Sequence, residues 1–176
     1  MRAPIGDFDD ARPATDRREL LPPPVAAAVT AEMLHVDSDP EKADTAVFAA
    51  TYGEGLLEAS ANCVVVAGKR GQEVTLAACV VLSATRVDVN GPVRRHLGAR
   101  KASFAATETA TGETGMEYGG ITPVGLPADW PLLIDPAVLD TPWVLIGSGA
   151  RRGKLIVPGK LLADLPNAVV LDGLGI

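Results

Sequence analysis

No apolar stretch in this chain comes near the roughly twenty residues that a helix needs to cross a bilayer, so no segment reads as a membrane span. Nor does an apolar run follow a charged start at the N-terminus, because Asp7, Asp9 and Asp10 interrupt it early. No signal peptide is visible, and a cytoplasmic protein is expected. Cysteine is nearly absent: Cys63 and Cys79 each sit in a valine-rich run, which suits reduced core thiols better than a disulfide or a nucleophile. Histidine is equally scarce, with only His35 and His96. Without close pairing of ligand types a zinc site is not expected, and neither metal nor cofactor is predicted. The Gly-x-Ser-x-Gly elbow, the P-loop and the dinucleotide fingerprint are all missing, which removes the usual signals of triad hydrolysis, nucleotide hydrolysis and hydride transfer. Ser148 lies between Gly147 and Gly149 but has no partner histidine at a suitable spacing.

What is present is enough apolar material for a core. Hydrophobic residues are 47% of 176, the size of one ordinary domain. The formal net charge of −6 argues against a general nucleic-acid binder, yet the charge is uneven. Residues 1–66 hold twelve acids and five bases, whereas residues 67–176 hold ten acids and eleven bases. Arg94, Arg95, Arg100 and Lys101 form one basic cluster, and Arg151, Arg152, Lys154 and Lys160 another. Taken alone such runs are solvated faces; at most they support modest, salt-sensitive RNA contact.

Residues 1–24 mix charges with Pro13 and the triplet Pro22-Pro23-Pro24 and read as a tail or linker, with the fold beginning at Val25. A short helix over 25–30 and a strand over 33–36 follow, and His35 is expected as an ordinary strand residue. Ser38-Asp39-Pro40-Glu41 has capping-box spacing and predicts a helix to about Thr51, stopped by Gly53, with Ala46, Val47, Ala49 and Ala50 as its buried stripe. The apolar runs 62–67 and 74–83, joined across Gly68 to Gln72, predict a hairpin of central strands covered on both faces. A helix is expected over 87–97 with Gly98 as its stop, which accounts for His96 at the negative end of a helix dipole. Short strands follow over 101–106, 131–135, 143–147, 154–157 and 168–171, with a turn of helix at 107–111 and a closing helix at 159–165. The pattern is α+β: a mixed, partly barrel-like sheet with helices packed outside.

Four glycines and two prolines crowd into residues 114–127. Gly119 and Gly120 leave backbone amides uncovered by a Cβ, and Pro123 stiffens the segment, so it predicts a rigid loop; glycine and proline alone favour a structural crossover over a loop suited to a small ligand. Gly119 to Pro123 resembles the Gly-x-x-x-Pro loop of the YbaK and prolyl-tRNA-editing domain family. Thr114-Gly115 and Leu133-Ile134-Asp135 extend the likeness. Gly98-Ala99-Arg100-Lys101 resembles the family's Gly-x-Lys-Lys segment, and Gly147-Ser148-Gly149 with Arg151-Arg152 resembles its Ser-Ala-Gly-Lys-Arg-Gly turn after a one-residue shift. The likeness spans about residues 25–172 in the order and spacing of its pieces.

The resemblance implies the fold of that family and hydrolysis of the ester between a mischarged amino acid and tRNA, of the tRNA(Pro) class, by a water held in place by backbone groups. It implies aminoacyl-tRNA as partner, with an aminoacyl-tRNA synthetase as a further one. Gly119, Gly120, Ile121, Thr122 and Pro123 would position the aminoacyl group, with Ser148 and Gly149 opposite. Arg94, Arg95, Arg100, Arg151 and Arg152 are the candidate RNA contacts. The chain departs from the family at the first core strand, where Asn62 occupies the place of a lysine. Asn62 and Lys101 are therefore the candidate catalytic residues, although Lys101 matches a different family lysine. A non-catalytic module that binds an amino acid, an aminoacyl-RNA end or a protein is the alternative.

Overall fold

The computed structural model describes residues 1–176. In chain order it places strand β1 (Arg12–Pro13), a 3-10 segment (Ala14–Leu20), helix α1 (Pro23–Ala28) and β2 (Leu34–Val36). A 3-10 turn (Pro40–Lys42), α2 (Thr45–Tyr52) and α3 (Leu56–Ala59) lead into β3 (Ala61–Arg70) and β4 (Glu73–Leu82). A π-turn (Val89–Val93) runs into α4 (Arg94–His96), followed by β5 (Lys101–Phe104) and α5 (Thr107–Thr114). The chain closes through β6 (Leu132–Ile134), α6 (Pro136–Leu139), β7 (Trp143–Gly147), β8 (Lys154–Pro158), a 3-10 segment (Gly159–Asp164) and β9 (Ala168–Val170).

The strands make two sheets, ordered β1-β2-β8-β7 and β5-β3-β4-β6-β9. The second is mixed: β3 pairs antiparallel with β4 and β5, while β4 with β6 and β6 with β9 run parallel. The sheets remain two hydrogen-bonded units and do not close into a barrel. They meet at one corner, where Ser60 bridges Leu145 in parallel and brings the opening of β3 against β7. The largest core cluster draws Val65, Ala78, Val80, Leu132 and Ile134 from one sheet and Val144, Ile146, Leu155 and Val157 from the other. On the opposite faces, Leu34, Val36, Leu145 and Ile156 pack with Phe8, Phe48 and Leu56, and Val66, Ala77, Cys79, Val81 and Leu133 pack with Val89, Val93 and Leu174. Both faces of the hairpin strands are thus covered, which is why these runs are continuously apolar.

Several local expectations are corrected. Residues 1–24, expected as a tail or linker, pack onto the four-stranded sheet: Ala3, Phe8, Ala11 and Ala14 are buried, and the Phe8 ring lies 5.1 Å from Tyr52 and 5.9 Å from Phe48. The helix over 38–51 is split, with Asp39 capping the 3-10 turn and Asp44 capping α2, each through a backbone amide two residues on. Phe48 and Ala49 are its buried residues, and Val47 is exposed. The helix over 87–97 is broken at Gly91, and the closing helix is a 3-10 segment.

The loop before β6 docks on the turn after β7 chiefly through backbone. Gly149 N donates to Gly120 O at 2.7 Å, and Glu117 N to Gly149 O at 2.8 Å. A Cβ at Gly120 would stand 2.5 Å from the Ala150 carbonyl oxygen, and one at Gly147 would stand 2.5 Å from Gly120 O. Only glycine permits this approach. Gly120→Ala should therefore destabilise by about 1–3 kcal/mol. Gly112→Ala, exposed in α5 with nothing within 4 Å of the new carbon, should stabilise by about 0.5–1 kcal/mol. Urea midpoints of the two variants shifting in the same direction would refute the close-packing account.

His35 is fully buried on β2, with Nδ1 3.3 Å from Arg17 Nη1 and no partner for Nε2. Burial, aided by the Arg17 guanidinium, pushes its pKa from 6.5 down to about 4. Between those values the unfolded chain binds the extra proton, so the contribution of His35 is complete above pH 6.5 and is lost as the pH falls toward 4. Asp10, held low chiefly by Arg12, and Asp37, held low chiefly by Arg152, act only below the ordinary carboxylate range. Unfolding free energy should fall with a slope approaching about 1.4 kcal/mol per pH unit between pH 6.5 and 4. The slope in that window should flatten in His35→Gln, and a wild-type stability flat across it would contradict the assignment.

Candidate functional site

At the corner where the two sheets meet, a cavity of about 560 Å³ opens between the N-terminal end of α2, the first residues of β3, the β5–α5 junction and the docked loop. Thirteen of its twenty-two lining residues are hydrophobic, so the few polar groups stand out. Of the residues singled out from sequence, Asn62, Gly119, Ile121 and Arg151 line it. Gly120, Thr122 and Pro123 do not; they form the buried rear of the loop. The Thr122 amide points to the Met116 sulfur at 3.4 Å, and its hydroxyl has no partner. The Gly120 amide is taken by Glu117 O. The amides of Gly119 and Ile121, both on cavity-lining residues, have no protein acceptor. The loop therefore offers two unspent donors at the cavity wall.

Ser148 and Gly149 are buried behind this wall. The Ser148 hydroxyl lies 3.0 Å from Ala150 O and 3.1 Å from Arg152 O, and accepts from Ala150 N at 3.3 Å. It ties the turn together and is fully engaged in doing so. Lys101 is not brought to the cavity: it pairs with Lys69, seven residues along β3 from Asn62, a span of roughly 23 Å at the rise of a strand. Arg94, Arg95 and Arg100 cluster at that same distant end, where Arg100 N donates to Lys69 O and Arg94 Nε to Asn90 O. Arg152 makes a two-pronged ion pair with Asp37 at 2.8 Å on each arm, which raises its own pKa and lowers that of Asp37. Arg151 alone of these arginines faces the cavity, braced by Tyr118 O at 3.4 Å from its Nη1.

Three features of the site escaped the sequence reading. Phe104 and Tyr118, among seven aromatic residues, are the two that stand well exposed, at 59% and 66%, and both line the cavity. Lys154, grouped by sequence with a surface patch, is half-buried in the cavity, its Nζ 5.5 Å from the centre of the Phe48 ring and 3.5 Å from Ala43 O. Desolvation lowers its pKa, and Arg151 adds to the effect. The signal for Lys154 lay in strand alternation: Lys154 and Ile156 share a face, and Ile156 is core.

The cavity has few groups for conventional catalysis. No histidine lines it, and burial raises the pKa of the one lining thiol, Cys63, so it stays protonated at neutral pH. No three His, Cys, Asp or Glu side chains come together in a metal-holding group. No helix is long and apolar enough to cross a membrane. What the arrangement offers is apolar enclosure, fixed amide donors and cationic side chains, the means of binding a polar carbonyl and stabilising negative charge on it.

Comparison with known proteins bears on the fold and the family. No curated protein matches the chain. Among solved structures, a proposed trans-editing enzyme for prolyl tRNA synthetase superposes with a TM-score of 0.67 at 22% identity, covering 90% of each chain. The hypothetical protein APE2540 gives a TM-score of 0.66 at 22% identity over 76% of this chain and 85% of that one. A scaffold used for computational epitope grafting gives 0.71 at 22% identity, over 90% of this chain and 96% of that one. At these identities the likeness shows a shared fold. The sequence profile for the aminoacyl-tRNA editing domain matches residues 39–165, well over half of the chain and inclusive of every residue lining the cavity. The chain belongs to the aminoacyl-tRNA editing domain family.

Proposed function

We propose that this protein is a deacylase that hydrolyses the ester of mischarged tRNA, of the tRNA(Pro) class. The observation that carries the reading is the pair of unspent amides on Gly119 and Ile121 at the wall of an apolar cavity, within a chain of the editing family. In the reaction, water adds to the aminoacyl carbonyl carbon, the bond from that carbon to the ribose oxygen breaks, and one water proton ends on the ribose oxygen. The products are a free amino acid and a tRNA with an intact terminal hydroxyl. The ester is intrinsically labile, so holding carbonyl and water in attack geometry supplies most of what catalysis needs.

The loop amides receive the carbonyl oxygen, and the vicinal ribose hydroxyl of the substrate assists proton transfer. Gly120, Thr122, Pro123, Ser148 and Gly149 act from behind by fixing the loop. Phe104 and Tyr118 offer exposed rings on which the terminal base can stack, and Arg151 offers a guanidinium for a terminal phosphate. The distant arginines 94, 95 and 100 can meet only another part of a tRNA or a synthetase that delivers it. The cytoplasm, where charged tRNA is made and used, is the compartment this role requires.

One observation favours a second reading. Asn62 stands where the resemblance to the family implies a lysine, and an uncharged amide forms a weaker bond to a carbonyl or phosphate than a cation does. A module that binds an aminoacyl-RNA end without cleaving it would tolerate that exchange. The two readings separate in one assay: release of amino acid from tRNA(Pro) mischarged with alanine, cysteine or serine. The deacylase should release at least one of them above spontaneous hydrolysis. Tyr118→Ala and Phe104→Ala should each raise KM by about 5- to 100-fold, the loss of one base stack, with little change in kcat. No release by wild type on all three would leave the binding module.

A further inference from the structure

The site contains an ammonium group on β8 that the roles given above leave unused. We infer that Lys154 is the catalytic cation of this site, its Nζ donating to the ester carbonyl oxygen as negative charge develops there. This inference rests on the deacylase reading and deepens it by naming the charged group that Asn62 does not supply.

Lys154 is pinned on both sides at the start of β8: it pairs with Val36 of β2 and with Gly147 of β7. A partner in an antiparallel pair shares its face, so Lys154 and Gly147 point the same way. On that face, the carbonyl oxygens of Gly120 and Ile121 press so close over Gly147 that a Cβ there would meet them at 2.5 and 2.7 Å. The docked loop and the lysine are therefore neighbours on one surface, and Lys154 and Ile121 both line the cavity. Asn62 reaches the same cavity from β3, its carbonyl oxygen 3.4 Å from the Ser83 hydroxyl. The opening of β3 is held against β7 by the bridge between Ser60 and Leu145.

The bonding of Lys154 is unfinished. An ammonium has three donors, and here one carbonyl, Ala43 O at 3.5 Å, is the sole hydrogen-bond acceptor. No carboxylate lies within ion-pair distance; the three ion pairs of the structure all involve arginine. Asp44 is the acid whose charge acts on it, and the Asp44 carboxylate is engaged with Ala46 N as the cap of α2. A surface lysine would extend its head into water. Lys154 instead lies across the Phe48 ring inside the cavity, where burial depresses its pKa. A half-buried cation with two free donors, fixed by a sheet and facing an apolar space, is preorganised for charge that appears during reaction rather than for charge already present.

The chain thus carries its site cation on β8 instead of on β3. The test uses mischarged tRNA(Pro), with Lys154→Met to keep the stem and remove the charge, Lys154→Arg to keep the charge, and the double change Lys154→Met with Asn62→Lys to move the charge to β3. The inference expects Lys154→Met to lose about 100-fold or more in kcat/KM, as removal of a donor to a developing oxyanion does, and the other two to recover part of it. If wild type is active and a folded Lys154→Met stays within about threefold of it, the inference is overturned and the deacylase reading stands. If wild type releases no amino acid, the deacylase reading fails. Lys154 is then judged by binding of 3′-alanylamino-3′-deoxyadenosine, a non-hydrolysable mimic of the charged end. Binding at least tenfold weaker in Lys154→Met would keep the cation role in a binding module; equal binding, or none by wild type, overturns it. Should Lys154→Met not fold, acylation of Nζ in wild type by a water-soluble active ester decides. Protection of Lys154 by the same analogue supports the contact, and unchanged labelling at saturating analogue overturns it.

Discussion

The site depends on one contact between backbones, the docking of residues 117–121 on the turn at 147–151. Two hydrogen bonds, Gly149 N to Gly120 O and Glu117 N to Gly149 O, bring the strands of chain together, and the absence of side chains at Gly120 and Gly147 lets them meet. The consequence is a division of labour among amides. Gly120 and Thr122 spend theirs on Glu117 and Met116 and so lock the loop, which leaves Gly119 and Ile121 held rigidly with theirs free. A donor that is already immobile loses little entropy when it binds, which is what makes a backbone wall useful for catalysis. The loop is braced from outside as well. The proline triplet lies behind it, with Pro24 O 2.5 Å from where a Cβ on Gly125 would stand and Val25 and Pro22 against Gly149. A segment whose composition reads as a linker is the back wall of the site.

Charge is sorted by the same geometry. Arg151, Arg152 and Lys154 lie within four residues, yet they meet three different surroundings. Arg152 is neutralised by Asp37, Arg151 stands at the cavity beside Tyr118, and Lys154 turns inward over Phe48. The turn at Gly153 makes this possible: its φ of +79° reverses the chain, and a Cβ there would meet the buried His35 ring at 2.5 Å. His35 therefore shapes the site without facing it. It fills the floor under the turn that sends Arg152 away to Asp37 and Lys154 inward.

How far the sequence carried follows from which forces leave a local trace. The hairpin of β3 and β4 was legible because continuous valine and alanine runs on either side of a glycine turn have few other uses. The glycine-rich loop was legible because crowded glycine and proline exclude regular structure. Residues 1–24 were not, because Ala3, Phe8, Ala11 and Ala14 are buried one at a time with no period, each covered by a different part of the fold. Asn62 was singled out because the family resemblance marks the opening of the first core strand, and that opening lines the cavity. Lys101 was misplaced relative to it because two strands that pair can still put their polar residues at opposite ends. Lys154 was missed because a basic run reads as a solvated face unless the strand it begins is known to alternate into a core.

The chain's acidity bears on how much RNA it can hold. With a net charge of −6, long-range attraction to a polyanion is absent, and each phosphate contact contributes only locally. The cavity concentrates what recognition there is: one guanidinium, two exposed rings and one buried ammonium within a space of about 560 Å³. That space admits an amino acid with its terminal nucleoside and little more of a tRNA. A deacylase built on this cavity would select by the chemistry of the charged end, where a wrong side chain and an ester coincide, rather than by the body of the RNA that carries it. The basic cluster around Arg94, Arg95 and Arg100 lies too far along β3 to take part in that selection. Under the proposed deacylase function its contribution would be to delivery of the substrate, and discrimination would fall to the corner where the two sheets meet.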